Sequence, residues 1–581
     1  MAKSRLQKLG AYMAPYWKPV SLGIAALFIV NALGVYIPLQ IRNTIDRLQT
    51  NFDFSQVMGY VAIVLLLACI MWVIRMASRL LIFGVGRWVE FDLKQSIFRQ
   101  LLTLEPAYFA ANKVGDLINR ATSDVDNIRR LVGFAVLSLA NMIFAYSLTL
   151  PLMLSINGRL TFWAIAVYPF MLVIVQLFSH RLRSQQQEVQ EELSRVSDLI
   201  QEDMSGISLI KIYAQEENEG RAFRQFNRQL LGANLRLART RYLLFPLVEA
   251  LANLSLLVLM WLGTSAIARG TITIGDFLAL LLYAERLVFP TALLGFTISA
   301  YQRGEVSVDR IETIFQVEPK IKDLDYATQL ATPIRGQLIA QHLNYTYPGS
   351  KTPALKDVNF AIKPGETVAI VGPIGAGKST LANALPRLLD IPPRTIFLDG
   401  YDITLLKLDD LRGAIAYVPQ DSFLFSTTIK NNIRYGDPVL EGIEIEIAAK
   451  QAQMHSEIGN FPQQYETIVG ERGVTLSGGQ RQRTALARAL LVDAPVLILD
   501  DALSSVDNQT ATNILRNLSE GTKRKTVIFI SHQMSAAATA DRIFVMDKGA
   551  IVQIGTYAEL MQQPGLYQTL WQQQQLEELL H

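Results

Sequence analysis

The sequence predicts an all-α membrane domain of six spanning helices with long cytoplasmic helical extensions, followed by an α/β domain. Half of the 581 residues are hydrophobic and only 18% are charged, against roughly 25% charged in ordinary soluble proteins. Long apolar stretches recur through the first 300 residues. After residue 335, strands, glycine turns and helices alternate instead, which is typical of a mainly parallel sheet.

The six apolar stretches are each about 20 residues long, enough for a helix to cross ~30 Å of hydrocarbon. They cover residues 20–41, 57–80, 133–156, 160–180, 247–268 and 275–300. We therefore assign residues 1–310 to the membrane domain, 311–334 to a linker and 335–575 to the α/β domain.

The connections between these stretches indicate the topology. Two polar segments are long and have helical spacing, so we interpret them as helices that continue beyond the bilayer. Residues 81–132 contain seven Lys or Arg and residues 181–242 contain ten, against two in the short connection 42–56. By the positive-inside rule the long segments are cytoplasmic, and so are both termini.

Composition excludes several kinds of protein. The net charge of +3 is small for this length, so there is no global basic field that would attract nucleic acid. The single cysteine, Cys69, excludes an intramolecular disulfide framework and a cysteine-based metal site.

Two adjacent charges interrupt the sixth apolar stretch, Glu285 and Arg286. A charge at that depth costs ~2.5–3.5 kcal/mol on the milder insertion scale. Neighbouring helical residues point about 100° apart, so the two side chains do not face one partner. An ion pair between helices and a contact with substrate both remain open. Near the end of the second stretch, Arg75 and Arg79 are expected to extend to the cytoplasmic interface.

A phosphate-binding loop follows a β-branched strand in the α/β domain and opens a helix, in the pattern G-x4-G-K-S. Its glycines allow backbone N–H groups to surround phosphate oxygens, and the helix N-terminus adds positive potential. Lys378 would neutralise phosphate charge and the Ser379 hydroxyl would coordinate Mg²⁺. The loop comprises Gly372, Pro373, Ile374, Gly375, Ala376, Gly377, Lys378, Ser379 and Thr380.

Two further motifs accompany the loop. The apolar run PVLILD ends in Asp500, at the strand edge where ligands of open α/β sheets bind, and this carboxylate suits Mg²⁺. The segment TLSGGQRQR opens a second helix with small residues, which is a second anion-binding N-terminus. One phosphate tail does not need two such ends from one domain. The pair therefore favours a dimer in which one subunit's LSGGQ closes over the nucleotide of the other.

Together these motifs resemble the ATP-binding cassette (ABC) family, and the preceding six spans resemble its exporters. The resemblance implies that Tyr347 stacks on adenine, that Gln420 senses Mg²⁺ and contacts the membrane domain, and that His532 contacts the γ-phosphate. The signature would be Ser477, Gly478, Gly479 and Gln480.

The family pattern also assigns roles to loops. It implies that Glu471 touches the cytoplasmic helices, that Asp507 contacts the opposite subunit's site, and that residues 115–130 and 212–219 hold short coupling helices.

One residue departs from the family pattern. Asp501 stands where the family normally has the glutamate that polarises the attacking water. Its side chain is one methylene shorter, and ~1 Å of misplacement costs on the order of 10²-fold in rate. We expect this chain to bind ATP well and hydrolyse it slowly, as in heterodimeric exporters that pair a degenerate site with a competent one. A homodimer with two slow sites, or a backbone shift that restores the reach, is the alternative.

The expected function is ATP-driven export of a hydrophobic or amphipathic small molecule, with ATP and Mg²⁺ as cofactors. The expected partners are a second half-transporter, the lipid bilayer and the transported molecule, but no nucleic acid, and the expected location is the cell inner (plasma) membrane. A homodimeric lipid or peptide exporter and an ATP-binding regulatory or channel-like membrane protein remain alternatives. An importer and a soluble DNA-repair or translation ATPase fit the six spans and the domain order less well.

Overall fold

The structure is a computed structural model that describes residues 5–49, 54–470, 473, 475–506, 508–519 and 524–580. The chain forms two compact units. The first comprises Met1–Leu102 and Val114–Val317, and the second Thr103–Lys113 and Glu318–His581. The first is helical and the second is α/β, so the predicted fold class is confirmed.

Eleven helices cover the described residues up to 315, joined in places by short 3-10 and π-helical turns. In chain order they are α1 (Arg5–Met13), α2 (Trp17–Leu48), α3 (Phe54–Thr103), α4 (Pro106–Ala111), α5 (Val114–Asn119), α6 (Val125–Arg130), α7 (Val136–Ile165), α8 (Tyr168–Ser205), α9 (Ile207–Ile212), α10 (Glu216–Ala268) and α11 (Ile274–Phe315).

Five helical stretches of the described chain are long and apolar enough to cross a membrane, where the sequence predicts six spans. They are Gln7–Leu48, Phe54–Thr103, Val114–Ser205, Glu216–Ala268 and Ile274–Phe315. The difference lies in the third stretch, which contains two predicted spans, 133–156 and 160–180. Between them Asn157 has an extended backbone, with φ −161° and ψ 107°. The Asn157 side chain accepts a hydrogen bond from the Leu160 N–H at 3.1 Å, so the kink is tight and helical bonding resumes at once.

Helices α2 and α3 bury different lengths of their apolar faces. The buried positions of α2 recur every three or four residues, as expected for one helical face against a core; they are Gly23, Leu27, Val30, Asn31, Gly34, Val35 and Pro38. In α3 no residue before Ser78 is buried. The Ser78 hydroxyl donates to the Gly23 carbonyl at 2.8 Å. The earlier part of α3, which has no fully buried residue, offers exposed apolar side chains to lipid.

A capped turn fixes the start of α11. Thr273 and Asp276 form a reciprocal capping box, which satisfies N–H groups that the first helical turn leaves unpaired. Asp46 accepts hydrogen bonds from the Thr273 hydroxyl at 2.9 Å and the Gly275 N–H at 3.0 Å. Arg42 pairs with Asp276 at 2.7 Å. These contacts join the end of α2 to the start of the last membrane helix.

The predicted helical extensions are present as continuations of the membrane helices. Helix α8 reaches Ser205 and α10 begins at Glu216, with Arg236 of α10 pairing with Glu188 of α8 at 2.6 Å. Residues 115–130 are helical and belong to the first unit. The part of this connection that belongs to the second unit is Thr103–Lys113, which contains α4. The coupling helix that the family resemblance assigned to 115–130 stays a prediction, and α4 (Pro106–Ala111) is composed mainly of aromatic and small residues.

The second unit contains two sheets. Its strands are β1 (Leu338–Tyr345), β2 (Leu355–Ile362), β3 (Thr367–Val371), β4 (Ile396–Leu398), β5 (Tyr401–Asp402), β6 (Ile415–Val418), β7 (Val496–Asp500), β8 (Thr526–Ile530), β9 (Arg542–Asp547) and β10 (Ala550–Gly555). Its helices after α4 are α12 (Lys378–Ala384), α13 (Leu408–Gly413), α14 (Ile429–Arg434), α15 (Ile443–Gln451), α16 (His455–Gly459), α17 (Gly478–Leu491), α18 (Asn508–Ser519), α19 (Met534–Ala537), α20 (Tyr557–Gln562) and α21 (Leu566–Leu580).

The six-stranded sheet has the order β10-β9-β3-β8-β7-β6, and only its β9–β10 pair is antiparallel. Every residue of β7 is buried, because alternate side chains enter cores on opposite faces. Leu497 and Leu499 lie in one core, and Val496 and Ile498 in the other. The carboxyl ends of the parallel strands β3, β6, β7 and β8 therefore meet at one edge of a rigid sheet.

Candidate nucleotide site and membrane cavity

The loop between β3 and α12 has a shape that requires glycine at two positions. Gly372 has φ +151°, and a Cβ there would lie 2.1 Å from the Met546 carbonyl oxygen. Gly377 has φ +96°, and its Cβ would lie 2.6 Å from the Ala354 carbonyl oxygen. A side chain at either position would clash with backbone atoms, so the shape of the phosphate loop depends on glycine at both.

Lys378 begins α12 and its side chain returns to the loop. Its Nζ donates to the Gly372 carbonyl at 2.8 Å and the Pro373 carbonyl at 3.0 Å. Burial lowers the pKa of the Lys378 ammonium, and the charges of Asp501 and Asp500 oppose that shift. The ammonium is thus held at the loop by weak neutral acceptors, which an anionic phosphate would outcompete.

Ser379 and Asp500 form the centre of the site. The Ser379 hydroxyl donates to Asp500 Oδ1 at 2.9 Å. Tyr417, in β6, donates to Asp500 Oδ2 at 3.3 Å and to Asn383 Oδ1 at 3.0 Å. Burial raises the pKa of Asp500, against the effect of the two hydroxyl donors. The sequence prediction paired Ser379 with Asp500 but missed Tyr417 and Asn383, because neither belongs to the loop motif.

These residues fit Mg²⁺ and a nucleotide phosphate. Among the described residues there is no group of three or more His, Cys, Asp or Glu side chains able to hold a metal ion. Mg²⁺ in nucleotide sites needs fewer protein ligands than such a group supplies, since one or two carboxylates, waters and substrate phosphates complete its coordination. A buried carboxylate with a raised pKa beside a serine hydroxyl is stabilised when a cation arrives.

Asp501 follows Asp500 with a left-handed backbone, φ +52°. Its N–H donates to the Ile530 carbonyl at 3.2 Å. Its carbonyl accepts from the Ser504 hydroxyl at 3.0 Å and from Gln482 Nε2 at 3.4 Å. Burial raises the pKa of the Asp501 carboxyl, while the charges of His532 and Lys378 oppose that shift. The backbone of Asp501 is therefore fixed on both sides.

The other predicted nucleotide contacts lie at the same unit's surface. The Tyr347 hydroxyl is 3.2 Å from Thr380 Oγ1, which places that ring beside the start of α12. His532, just after β8, is exposed and close enough to Asp501 for their charges to interact. Gln420 is exposed two residues after β6. Gln420 is not brought into hydrogen-bond contact with the loop in the described part of the chain.

The signature forms the N-terminus of α17. Ser477 is the N-cap: its hydroxyl accepts the Gln480 N–H at 3.2 Å, and Gln480 Oε1 accepts the Ser477 N–H at 2.9 Å. A Cβ on Gly479 would lie 2.7 Å from the Ser505 carbonyl oxygen. The signature helix thus packs closely on the segment that follows Asp501. Glu471 and Asp507, assigned by resemblance, lie outside the described residues.

Gln482 joins the signature helix to this segment and was not predicted. Its Nε2 donates to the Ser504 hydroxyl at 2.9 Å, and its Oε1 accepts the Ser505 N–H at 2.9 Å. Gln482 is buried. A buried polar residue with partners at both ends of its amide fixes the spacing between two motifs, and the alternating QRQR sequence gave no sign of which glutamine would do so.

Comparisons with known proteins identify the family. Residues 20–291 match the family model of the ABC transporter transmembrane region, and residues 355–504 match the family model described as ABC transporter. A probable multidrug resistance ABC transporter ATP-binding/permease protein of Bacillus subtilis (strain 168), YheI, is 33% identical over 99% of this chain and 98% of that protein. The chain belongs to the ABC transporters.

Two further comparisons agree with this assignment. An ATP-dependent lipid A-core flippase of Desulfotalea psychrophila (strain LSv54 / DSM 12343) is 30% identical over 98% of this chain and 100% of the relative. A solved structure of a bacterial Atm1-family ABC exporter with ATP bound matches with a TM-score of 0.78 at 24% identity, covering 96% of this chain and 99% of that chain, and it shows the exporter fold. The protein is a membrane ATPase coupled to transport.

The membrane domain of this ABC transporter contains a partly open cavity of about 630 Å³. Glu285 and Arg286 both line it. No ion pair joins either to another described residue, so the first of the two open alternatives, an ion pair between helices, is absent from that part of the chain. Arg75 and Arg79, expected to extend to the cytoplasmic interface, line the same cavity. The second span continues as one helix to Thr103, which keeps both arginines beside the neighbouring helices.

Arg286 lies across α2. Its Nη2 donates to the Asn31 carbonyl at 3.2 Å and to Asn31 Oδ1 at 3.0 Å. A Cβ on Gly34 would lie 1.6 Å from Arg286 Nη1. The guanidinium therefore occupies the space that a side chain at Gly34 would fill. Asn31 is itself fixed by donating to the Leu27 carbonyl at 2.9 Å and to Asn141 at 3.1 Å.

Proposed function

We propose that this chain is one subunit of a dimeric exporter for hydrophobic or amphipathic small molecules, in which its own ATP site hydrolyses slowly. The observation that carries the proposal is the position of Asp501 beside a complete phosphate loop. Lys378, Ser379 and Asp500 are assembled to hold Mg²⁺ and ATP, whereas the carboxylate beside them is one methylene short of the family's glutamate.

The fixed backbone of Asp501 supports slow hydrolysis. A small shift of the main chain could compensate for the shorter side chain, but three hydrogen bonds, to Ile530, Ser504 and Gln482, oppose it. When bound, Mg²⁺ would neutralise phosphate charge. Ser379 and Asp500 would hold it, Lys378 would bind phosphate oxygens, and Asp501 would orient water imperfectly. Binding and turnover are then separable steps.

The signature supports a dimer. Its helix N-terminus is complete and capped, yet the phosphate loop of the same chain already supplies another helix N-terminus. A second subunit would receive this signature over its own nucleotide. We favour a heterodimer whose other member carries the glutamate, so that this chain's Ser477, Gly478, Gly479 and Gln480 complete the fast site.

ATP would act by binding the closed pair of cassettes more tightly than the open pair, since a ligand shifts an equilibrium only by its differential affinity. The membrane cavity would alternate between inward-open and outward-open states. We further propose that the protein lies in the cell inner (plasma) membrane with both termini cytoplasmic. The name of the flippase relative supports lipid as a second candidate cargo, alongside the multidrug-type cargo suggested by YheI.

ATPase rates test the proposal. The chain is purified alone and together with a same-sized membrane-plus-cassette partner that carries glutamate at the position corresponding to Asp501. The heterodimer should hydrolyse ATP much faster than the isolated chain, and inside-out vesicles containing it should accumulate substrate only with ATP. Comparable rates in the two preparations would contradict the heterodimer, and ATP-independent flux would favour a channel-like protein.

A further inference from the structure

The membrane cavity has an unbalanced charge. Three arginines line it, Arg75, Arg79 and Arg286, against one carboxylate, Glu285. No carboxylate of the described residues lies within ion-pair distance, 4.0 Å, of any of these three arginines. Arg75 is close enough to both Arg79 and Arg286 for their charges to repel. A cavity within the membrane domain whose arginines outnumber its one carboxylate favours an anion.

Arg286 is positioned rather than neutralised. Asn31 accepts two hydrogen bonds from one end of the guanidinium, and Asn31 is buried and held by its own donors. Arg286 Nε is buried with no hydrogen-bond partner. Neutral amide oxygens orient the group but leave its charge, and a planar guanidinium with free donors suits phosphate or carboxylate.

A second cavity of about 460 Å³ adjoins the first, sharing Phe134 and Leu293. It is lined by Arg130, Arg183 and Arg303 and by no carboxylate. Each of these arginines lies three residues beyond the cytoplasmic end of a predicted span. We call the first cavity the deep cavity, and the second, with its three arginines, the outer cavity. The positive lining therefore continues from the deep cavity into the outer cavity, toward the cytoplasmic side.

Two of these outer arginines have partners within their own segments. Asp126 accepts from Arg130 Nε at 2.7 Å, and the Ser179 carbonyl accepts from Arg183 Nε at 3.3 Å. Arg303 has no such partner among the described residues. The outer cavity can therefore attract an anion, while the deep cavity offers the less compensated charges.

The walls of the deep cavity are apolar. Phe83, Phe134 and Phe289 line it together with aliphatic side chains. A free inorganic anion would leave this apolar surface exposed to water, whereas a ligand with a hydrocarbon or aromatic tail would bury it.

We propose that the cargo is an amphiphile with an anionic headgroup, a phosphate or carboxylate bound by Arg75, Arg79 and Arg286 with its tail against the phenylalanines. This rests on the proposed export function and specifies its substrate class. Cationic compounds of the same tail length are poor ligands, because they would meet three like charges.

Binding without nucleotide tests the substrate class separately from transport. The full chain, alone and with its partner, is placed in nanodiscs of phosphatidylcholine. Radiolabelled dodecyl phosphate is titrated below its micelle concentration. Dodecyltrimethylammonium and inorganic phosphate serve as the tail-matched cation and the headgroup alone. We expect saturable binding of dodecyl phosphate, at least about 10-fold tighter than either comparison ligand, the factor for one charge-assisted bond.

Arginine substitutions show whether the cavity is the site. Arg75→Gln, Arg79→Gln and Arg286→Gln should each weaken dodecyl phosphate binding about 10-fold. Arg159→Gln is the matched control, because Arg159 is exposed and outside both cavity linings. If Arg286→Gln fails to fold, the other two still test the proposal, since neither Arg75 nor Arg79 bonds to another described helix.

The outcomes that overturn the proposal are specific. Equal affinity for the anionic and cationic amphiphiles, or unchanged affinity in the Arg75 and Arg79 variants, would do so. Inorganic phosphate binding as tightly as dodecyl phosphate would indicate a simple anion site. No binding to the complex with its partner would mean that the second subunit supplies the counter-charge. Arginine-dependent binding without ATP-driven accumulation would support the substrate class and contradict the export function.

Discussion

The nucleotide centre and the membrane cavity treat charge in opposite ways. In the nucleotide centre, Lys378 is held by two backbone carbonyls and Asp500 by two hydroxyls. In the cavity, Arg75 and Arg79 meet no carboxylate of the described chain, and Arg286 meets only asparagine oxygens. Before a ligand binds, Lys378 and Asp500 of the nucleotide centre already have hydrogen-bond partners. The arginines of the cavity have no carboxylate of the described chain within ion-pair distance.

This difference indicates how each site gains from its ligand. An unpaired charge away from water is costly, so it is compensated by solvent, a counter-ion or a ligand. In the nucleotide centre the ligand replaces hydrogen bonds that the side chains already make to one another and to the loop. In the cavity the ligand supplies a missing charge. Four substitutions would break or sharpen this contrast.

The largest effect is expected from Lys378→Met. The substitution removes the ammonium that the loop carbonyls now hold. Charge-assisted hydrogen bonds contribute about 1.5–3 kcal/mol, so ATP affinity should fall about 10- to 150-fold, as measured with a fluorescent ATP analogue. Lys356→Met is the control, because Lys356 is exposed on β2. Equal loss in both variants would show that the effect does not come from the phosphate loop.

The second prediction concerns Asp501→Glu. The added methylene restores the reach of the carboxylate, and ~1 Å of placement is worth on the order of 10²-fold in rate. Steady-state hydrolysis should rise, with ATP affinity nearly unchanged. The same elongation at Asp493→Glu is the control, since that exposed carboxylate pairs with Lys525 at 2.9 Å. An unchanged rate in Asp501→Glu would show that side-chain length does not limit this site.

The third prediction tests how Arg286 is held. Gly34→Ala places a Cβ 1.6 Å from Arg286 Nη1, so the guanidinium must move and lose its bonds to Asn31. Because the end of a flexible side chain can move, the cost is that of the lost hydrogen bonds, about 0.5–1.5 kcal/mol, and the thermal unfolding midpoint in detergent should fall. Gly84→Ala is the matched control, because no atom lies within 4 Å of a Cβ there. Equal midpoints would mean that Arg286 repositions freely.

The smallest effect is a pH dependence in Asp500→Asn. Burial raises the pKa of Asp500 above its ordinary 3.8, so folding favours the protonated form. The stability from this group is present below pH 3.8 and is lost as the pH rises through the folded-state pKa. At pH 7.5 in EDTA, the variant should therefore unfold at a higher temperature than the parent, and the difference should shrink at pH 4.5.

Magnesium reverses that order. With Mg²⁺ and ATP at pH 7.5, the parent should gain stability by binding and the variant should not. A parent that is more stable than Asp500→Asn in EDTA would show that the two hydroxyl donors already compensate the buried charge.

Much of the architecture followed from local sequence. Apolar length predicted the spanning helices, and the strand–glycine–helix pattern predicted the phosphate loop, because both depend on neighbouring residues. The count of helical stretches differed because Asn157 kinks the chain without ending helical bonding for long. Residues 115–130, which the family resemblance assigned to a coupling helix, belong to the first unit, whereas Thr103–Lys113 of the same connection belongs to the second.

The sequence alone determined the fold class, the position of the loop and the substitution at Asp501, since each is a property of adjacent residues. Only the tertiary structure decided what those residues meet. Tyr417 reaches Asp500 across the sheet, Gln482 fixes the segment after Asp501, and Arg75 shares a cavity with Arg286. Such contacts join residues from tens to hundreds of positions apart, and helix packing and strand order, rather than local pattern, bring them together.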